Sequence, residues 1–410
     1  MSYPRVVVTG VGTVNPLGLT VDEFWKNAVA GNSGIGLITR FDTTNFYVKV
    51  AGEVKGFDAY KHMDPKIADR NPRAVHFGLA AAQEAMAQAG IDMNREIPER
   101  VGCSIACMSE SDYIVKQAGI LERRGSRRVD PLFVARSGPS APAMQIGMVF
   151  RARGPNASVN SLCASGADSI GTAMNFIQLG YADVMMAGGT DSCLSPLGVA
   201  GLDILGAVTR EPDPAIACRP FDADRSGFVF GEGAGIVVLE SLEHARARGA
   251  HILVELAGAG WSFDAYDQTA PAPELEAYAM KLAVQRAGVV PTDVSYINAH
   301  GTSTRLNDPT ETQAIKLAFG EHAYKLAVNS TKSMTGHAIT AAGAVESIAC
   351  IMTLLNGVIH PTINYRTPDP LCDLDYVPNS AREADVDVCV TNSFGLGGEN
   401  CCLAFKRFRG

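Results

Sequence analysis

Two stretches of this chain repeat the same order of apolar and polar positions. The first opens with an apolar run closing on glycine, RVVVTGVGTV (5–14). A helical pattern, FGLAAAQEAMAQAG (77–90), and a second apolar run, RVGCSIAC (100–107), come after it. The second opens with ILVELAGAG from residue 252, continues with the helical YAMKLAVQRAG ending at Gly288, and reaches the strand pattern VSYINAHG. The repeat then extends to SVNSLCASGADSIGTAMNFIQLG and AVNSTKSMTGHAITAAGAVESIACIMTLLNG. Each carries Val-Asn-Ser, a turn of small residues and a helix. From Gly90 to Val159 is 69 residues and from Gly288 to Val328 is 40, so the first copy holds about 29 extra residues, expected around 107–140.

Strands alternating with helices call for a parallel sheet covered on both faces, and two copies call for two such units packed as one body. The expectation is a duplicated α/β fold layered helix, sheet, helix, sheet, helix, with a first half over 3–250 and a second over 251–407. Ligands gather at the carboxyl ends of parallel strands, so the turns after the two Val-Asn-Ser strands are the places to seek a site.

Composition narrows the classes. The 410 residues are 47% hydrophobic and 19% charged, enough for one large core or two medium ones. A net charge of −8 argues against a nucleic-acid surface. No apolar run is expected to reach the roughly 18 to 20 residues that span a bilayer, and the start MSYPRVVVTG has neither the basic flank nor the apolar stretch of a signal peptide. No membrane association and a cytoplasmic location are therefore expected. Ten cysteines could mean disulfides or metal, but none is in a C-x-x-C pair, and contexts such as ESIAC and VDVCV read as buried reduced thiols.

Cys163 is the exception, in the turn before the first repeated helix. At a helix N-terminus, unpaired amides and the dipole should lower the thiol pKa, Ala164, Ser165 and Gly166 should leave room for a substrate carbonyl, and the amide of Cys163 itself could hold an oxyanion. The alternative for this motif alone is that small residues merely allow close helix packing. The second half adds His300 in NAHGTST, and Lys332 and His337 in STKSMTGH, all at strand ends. The glycine-rich NSFGLGGEN reads either as a mobile loop with Phe394 as the bulky group that opens or closes a pocket, or as a plain turn before the last strand, CCLAFKRF.

These ordered motifs, Cys163 with its small neighbours, NAHGTST, STKSMTGH, GAVES and NSFGLGG, resemble those of the β-ketoacyl-acyl carrier protein synthases, closest to the synthase II type, over residues 3–407. The resemblance implies a thiolase-like five-layer fold and a Cys163–His300–His337 triad performing decarboxylative condensation of a malonyl carrier protein with an acyl chain on Cys163. It implies Lys332 paired with Glu346, an oxyanion hole from the amides of Cys163 and Phe394, and Thr302 and Thr304 on the phosphopantetheine arm. No cofactor of the enzyme's own and no metal are implied, since the arm arrives on the acyl carrier protein. Leu396 stands where the family gate usually has a second phenylalanine. Met108, Ser109 and Glu110 stand where a glycine-rich run often lines the acyl pocket. Docking of an acidic carrier is assigned to Lys61, Lys66, Arg70, Arg73, Arg123, Arg124, Arg127 and Arg128.

The assembly implied is a homodimer in which the strand before the nucleophile extends the sheet. The alternative is a type II polyketide or polyene ketosynthase, in some cases paired with a chain-length factor. Four other classes fit less well. An initiating synthase would pair its cysteine with His and Asn, whereas the second position here is His337. A degradative thiolase needs a second cysteine in a Cys-x-Gly context, a thioester hydrolase has no use for a second histidine with Lys332, and a noncatalytic scaffold subunit should lack Cys163.

Overall fold

The computed structural model describes residues 3–410. The first half is framed by β1 (Val6–Val14), β2 (Val101–Ala106), β3 (Asn156–Ala157), β4 (Val184–Asp191) and β5 (Gly233–Ser241), with α1 (Arg73–Ala89), α2 (Ser111–Arg124), α3 (Ala141–Phe150), α4 (Ser165–Gln178) and α5 (Pro196–Ile204). The second half is framed by β6 (Val254–Phe263), β7 (Tyr296–Asn298), β8 (Ala327–Asn329), β9 (Val388–Phe394) and β10 (Glu399–Arg407), with α6 (Pro273–Arg286), α7 (Asn307–Phe319) and α8 (Ala342–Asn356).

The strand orders match: β3-β2-β4-β5-β1 in one half and β8-β7-β9-β10-β6 in the other. The sheets are mixed rather than parallel throughout, because β5 and β10 run against both of their neighbours. In the second half the reason is plain, since only residues 395–398 separate β9 from β10 and a parallel crossover needs a dozen or so. The halves also join edge to edge. Val6, Val7 and Val8 of β1 pair antiparallel with Leu256, Glu255 and Val254 of β6, giving one ten-stranded sheet.

Helices α4 and α8 pack against each other and against strands of both halves, forming the middle layer. Outside them, α1 and α3 cover the first sheet and α6, with α7 against it, covers the second. With helices on both faces, β4 (VMMAGGTD) and β5 (GAGIVVLES) are buried at every position, which explains runs of apolar and small residues instead of a strict alternation.

The continuous helical segment Ile339–Asn356 has a mean hydropathy of 1.5 over 18 residues, so one run does reach bilayer length. It is 83% buried between the sheets, as a core helix should be. The first half's extra chain is α2 with the turns around Ser126–Arg128 and Phe133–Ser137, all between β2 and α3. All ten cysteines are free.

Candidate active site

The functional side chains meet where strands end: Met108 beyond β2, Cys163 beyond β3, His300 beyond β7, Lys332 and His337 beyond β8, and Leu396 beyond β9. All of them except Lys332, which is buried, line a cavity of about 1000 Å³ whose wall also includes Thr302 and Phe394.

The two Val-Asn-Ser turns follow one plan with one difference. Leu162–Ala164 and Ile339–Ala341 are matching 3-10 turns, each opening with a non-glycine residue at positive φ, 49° at Leu162 and 46° at Ile339. Such backbone costs ~1–3 kcal/mol per residue and persists only where surrounding packing over-determines it. Val159 to Ser165, where α4 begins, is six residues, whereas Val328 to Ala342, where α8 begins, is fourteen. The pseudo-symmetry therefore matches Cys163 with Thr340, and Lys332 and His337 belong to eight additional residues of the second copy. Gly336 makes their path possible: its φ is 70°, and a Cβ there would lie 2.7 Å from the Phe230 carbonyl oxygen.

One reactive atom from each of Cys163, His300 and His337 lies within 4.8 Å of the other two. The imidazoles meet edge to face at 5.3 Å, with Phe394 5.9 Å from the His300 ring and Phe228 5.3 Å from the His337 ring. Lys332 Nζ donates to Glu346 Oε1 at 2.5 Å and to His300 Nδ1 at 3.3 Å. An ammonium can only donate, so His300 Nδ1 accepts and its proton resides on Nε2. Burial drives the pKa of both histidines well below 6.5, and the Lys332 charge pushes the same way. Both rings are therefore neutral at physiological pH. Neither nitrogen of His337 has a hydrogen-bond partner among the described residues. The three atoms could also be read as a metal donor set, but the Lys332 ammonium beside His300 opposes a cation there.

The cysteine differs from expectation in two ways. Burial pushes its thiol up to about 11, against the opposing pull of the Leu396 amide, the Lys332 charge and its own amide. Cys163 lies in the 3-10 turn before α4 begins, so the helix end does not outweigh desolvation. Ala164, Ser165 and Gly166 do not open space for substrate either. All three are buried, and a Cβ at Gly166 would come 2.8 Å from the Ala344 amide nitrogen of α8. Close packing of the two central helices is what these residues permit.

The glycine loop is positioned by its neighbours. The Gly395 amide donates to Glu399 at 2.7 Å, so the alternation of an antiparallel ladder turns the Phe394 amide toward the opposite edge, beyond the end of β7. The Gly397 amide donates to the Gln268 carbonyl at 2.9 Å, and the Gly398 carbonyl accepts from the Asp264 amide at 2.9 Å. The one donor of this loop that acts on the thiol is the Leu396 amide, beside the amide of Cys163 itself, and it is not among the groups the sequence motifs point to.

Other assignments sort as follows. Thr302 and Thr304 line the cavity with their hydroxyls 2.9 Å apart. Met108 lines it; Ser109 does not, being exposed because the chain turns outward before α2, which removes it from the acyl pocket. Glu110 is buried and its carboxyl is pushed up to about 8 by desolvation and by nearby Asp191. Lys61, Lys66, Arg70, Arg123, Arg124, Arg127 and Arg128 are exposed. Arg73 is not available for docking: its guanidinium grips Glu232 with two hydrogen bonds of 3.0 and 2.8 Å, donates to the Val54 carbonyl, and stacks on Phe77. Glu311 was missed. Its carboxylate accepts from the His300 and Gly301 amides at 2.8 Å each and from Asn392 at 3.0 Å, holding the His300 turn in place. Its one trace in the sequence is a carboxylate eleven residues after His300, which nothing local connects to it.

A half-buried thiol facing two neutral, buried imidazoles, in a cavity built by both halves of a duplicated fold, is the arrangement that suits a condensing enzyme. The chain matches the family descriptions "Beta-ketoacyl synthase, N-terminal domain" over residues 4–245 and "Beta-ketoacyl synthase, C-terminal domain" over residues 253–366. It is 44% identical over 410 residues to "3-oxoacyl-[acyl-carrier-protein] synthase 2" of Staphylococcus aureus, covering 98% of each chain. In structure it resembles a chain of the ishigamide ketosynthase/chain length factor (TM-score 0.93, 37% identity, 100% of both chains). It also resembles a type II polyketide ketosynthase solved with its acyl-carrier protein and bound to a hexaketide (TM-score 0.91, 33% identity, 99% of this chain and 100% of that one). The chain belongs to the β-ketoacyl synthase family, and its fold is the thiolase-like fold of ketosynthases.

Proposed function

We propose that this protein is a 3-oxoacyl-[acyl-carrier-protein] synthase that lengthens a fatty acyl chain by two carbons. The observation that carries the reading is the meeting of Cys163, His300 and His337 within 4.8 Å at the floor of one cavity. In the first half-reaction the Cys163 sulfur attacks an acyl-carrier thioester. The carbonyl oxygen is held by the amides of Cys163 and Phe394, the C–S bond to the carrier breaks, and the thiol proton ends on the departing carrier thiol. Because the Cys163 thiol is protonated at rest, this exchange needs no external base overall.

In the second half-reaction malonyl carrier protein enters, with Thr302 and Thr304 on its phosphopantetheine arm. The thioester carbonyl accepts from His300 Nε2–H and from a ring N–H of His337. Carbon dioxide leaves, its bonding pair becomes the enolate, and the enolate carbon attacks the acyl carbon on Cys163. The C–S bond breaks, the thiolate takes a proton, and a β-ketoacyl carrier is released. Neutral imidazoles suit this step, because they stabilise the enolate oxygen without protonating the carbon that must attack. Lys332, held by Glu346, keeps His300 in the required tautomer.

The enzyme on this reading works without a cofactor or metal of its own. Its assembly is a homodimer extended along the β3 edge, and its compartment is the reducing cytoplasm, which suits ten unpaired thiols. The exposed basic side chains of 61–70 and 123–128 would receive the acidic carrier. A second reading, a ketosynthase of type II polyketide or polyene assembly working with a chain-length factor, is supported by the likeness to such structures. Incubating the protein with malonyl carrier protein and a panel of saturated and unsaturated acyl carriers, then weighing the products, tests both. Acyl chains two carbons longer from the protein alone support elongation. Product appearing only after a sister subunit is added supports the second reading, and free acid alone refutes both.

A further inference from the structure

The wall of the cavity carries a gradient that the condensing reading does not use. Along the segment from His300 to Arg305, His300 is 3% and Thr302 5% exposed, Thr304 is half-buried, and Arg305 is exposed, yet all four border the same cavity. This run is a depth scale from floor to mouth. Three arginines line the cavity, and two are already committed to carboxylates. Arg210 donates to Asp203 at 2.8 Å, and Arg219 faces Glu211 at 3.7 Å. Arg305 has no carboxylate partner among the described residues. The remaining lining carboxylate, Asp267, is occupied by the Thr269 hydroxyl and by the amides of Thr269 and Ala270.

Resting on the reading above, the chemistry of the arm sets what should lie at each depth. With its thioester at His300, the arm's amides lie along Thr302 and Thr304, and its far end, the phosphodiester that joins it to the carrier, reaches the mouth. A phosphodiester keeps one negative charge at any physiological pH and offers two oxygens to a guanidinium fork. We propose that Arg305 is a phosphate subsite: it binds the phosphodiester of the incoming arm and so distinguishes phosphorylated pantetheine thioesters from unphosphorylated ones, independently of contacts to the carrier protein.

The test uses carrier-free substrates, malonyl-phosphopantetheine and malonyl-pantetheine, with protein already acylated on Cys163, and follows the condensed product by mass. An exposed ion pair supports up to about a fivefold preference, and a bidentate one more, so the wild type should favour the phosphorylated thioester by roughly five- to tenfold in kcat/KM. The variant Arg305→Glu should abolish or invert that ratio, acting through KM, and Arg305→Lys should restore part of it. Normal condensation with the ratio unchanged in Arg305→Glu, or no preference in the wild type, would overturn the phosphate subsite alone. Failure of the wild type to condense either thioester or malonyl carrier protein would overturn the condensing reading, and the subsite with it.

Discussion

Replacing Glu346 by Gln leaves the shape of the site nearly intact and removes one charge. In the wild type the Lys332 ammonium, 1% exposed, donates to Glu346 at 2.5 Å and to His300 Nδ1 at 3.3 Å; burial pushes the Glu346 carboxyl up to about 7, and the Lys332 charge beside it pulls it back toward the ionised form that balances the pair. Removing one member of a buried pair costs ~3–5 kcal/mol, because the remaining charge is stranded away from water. Lys332 can escape that cost by losing its proton. A neutral amine can then accept from His300 Nδ1–H, the imidazole proton moves off Nε2, and the enolate loses one of its two donors. Loss of one preorganised oxyanion donor typically lowers a rate about 100- to 1000-fold, which sets the expected fall in malonyl decarboxylation. Acyl loading of Cys163, which uses backbone amides, should fall far less. The assay is paired: carbon dioxide release from malonyl carrier protein, and the mass shift of the protein after exposure to acyl carrier protein. The double variant Lys332→Met with Glu346→Gln should recover much of the lost thermal stability without recovering decarboxylation, since the stranded charge is gone but the tautomer control is not. Equal losses in both half-reactions, or decarboxylation near the wild-type rate in a folded Glu346→Gln protein, would refute the argument.

Other outcomes follow from the same geometry. Gly336→Ala should be destabilising and should impair decarboxylation, because a Cβ at φ 70° meets the Phe230 carbonyl at 2.7 Å directly before His337; chemical denaturation and carbon dioxide release measure the two effects. Arg127→Glu with Arg128→Glu should raise the KM for carrier-linked substrates and leave the melting temperature alone, whereas Arg73→Ala should lower the melting temperature by loosening buried Glu232; the reverse pattern would contradict the assignments. His244, hydrogen-bonded to Glu240 and Glu96, has its pKa raised above 6.5 chiefly by the Glu240 bond, with burial opposing. Its stabilising charge is fully present below pH 6.5 and is lost as pH rises through the folded-state value, so thermal stability should decline on that alkaline side and the decline should flatten in His244→Gln.

The duplication was legible in the sequence because each copy repeats its apolar periodicities and its Val-Asn-Ser turn, and those patterns act locally. Cys163, His300 and His337 were legible as chemical groups on strand-end turns, since a parallel α/β order places such turns together. What stayed hidden depends on contacts distant in the chain. The eight residues that bring in Lys332 and His337 were masked by treating their turn as a mirror of the cysteine turn. The partner of Arg73 is 159 residues away at Glu232, so nothing near Arg73 marks it as engaged. Ser109 stands with Met108 where the family often has a glycine-rich run lining the acyl pocket, yet a single outward turn of the chain separates the two. The small residues after Cys163 had two physical explanations, and the fit of α8 against Gly166 decides for packing. The thiol pKa was misjudged because a helix end is visible in sequence whereas the depth of burial is not.

On the condensing reading, one sulfur and two imidazoles from the two halves act on a single acyl chain in sequence. A single-turnover chase tests it most directly. The protein is loaded with an isotopically labelled acyl carrier, washed, mapped by peptide mass, and then given malonyl carrier protein. The label should sit on the peptide containing Cys163 and then move into a β-ketoacyl carrier two carbons longer, while His337→Ala protein loads normally and retains its label. Label on any other residue, or transfer of the chain to malonyl carrier protein at an undiminished rate in the His337 variant, would contradict the account.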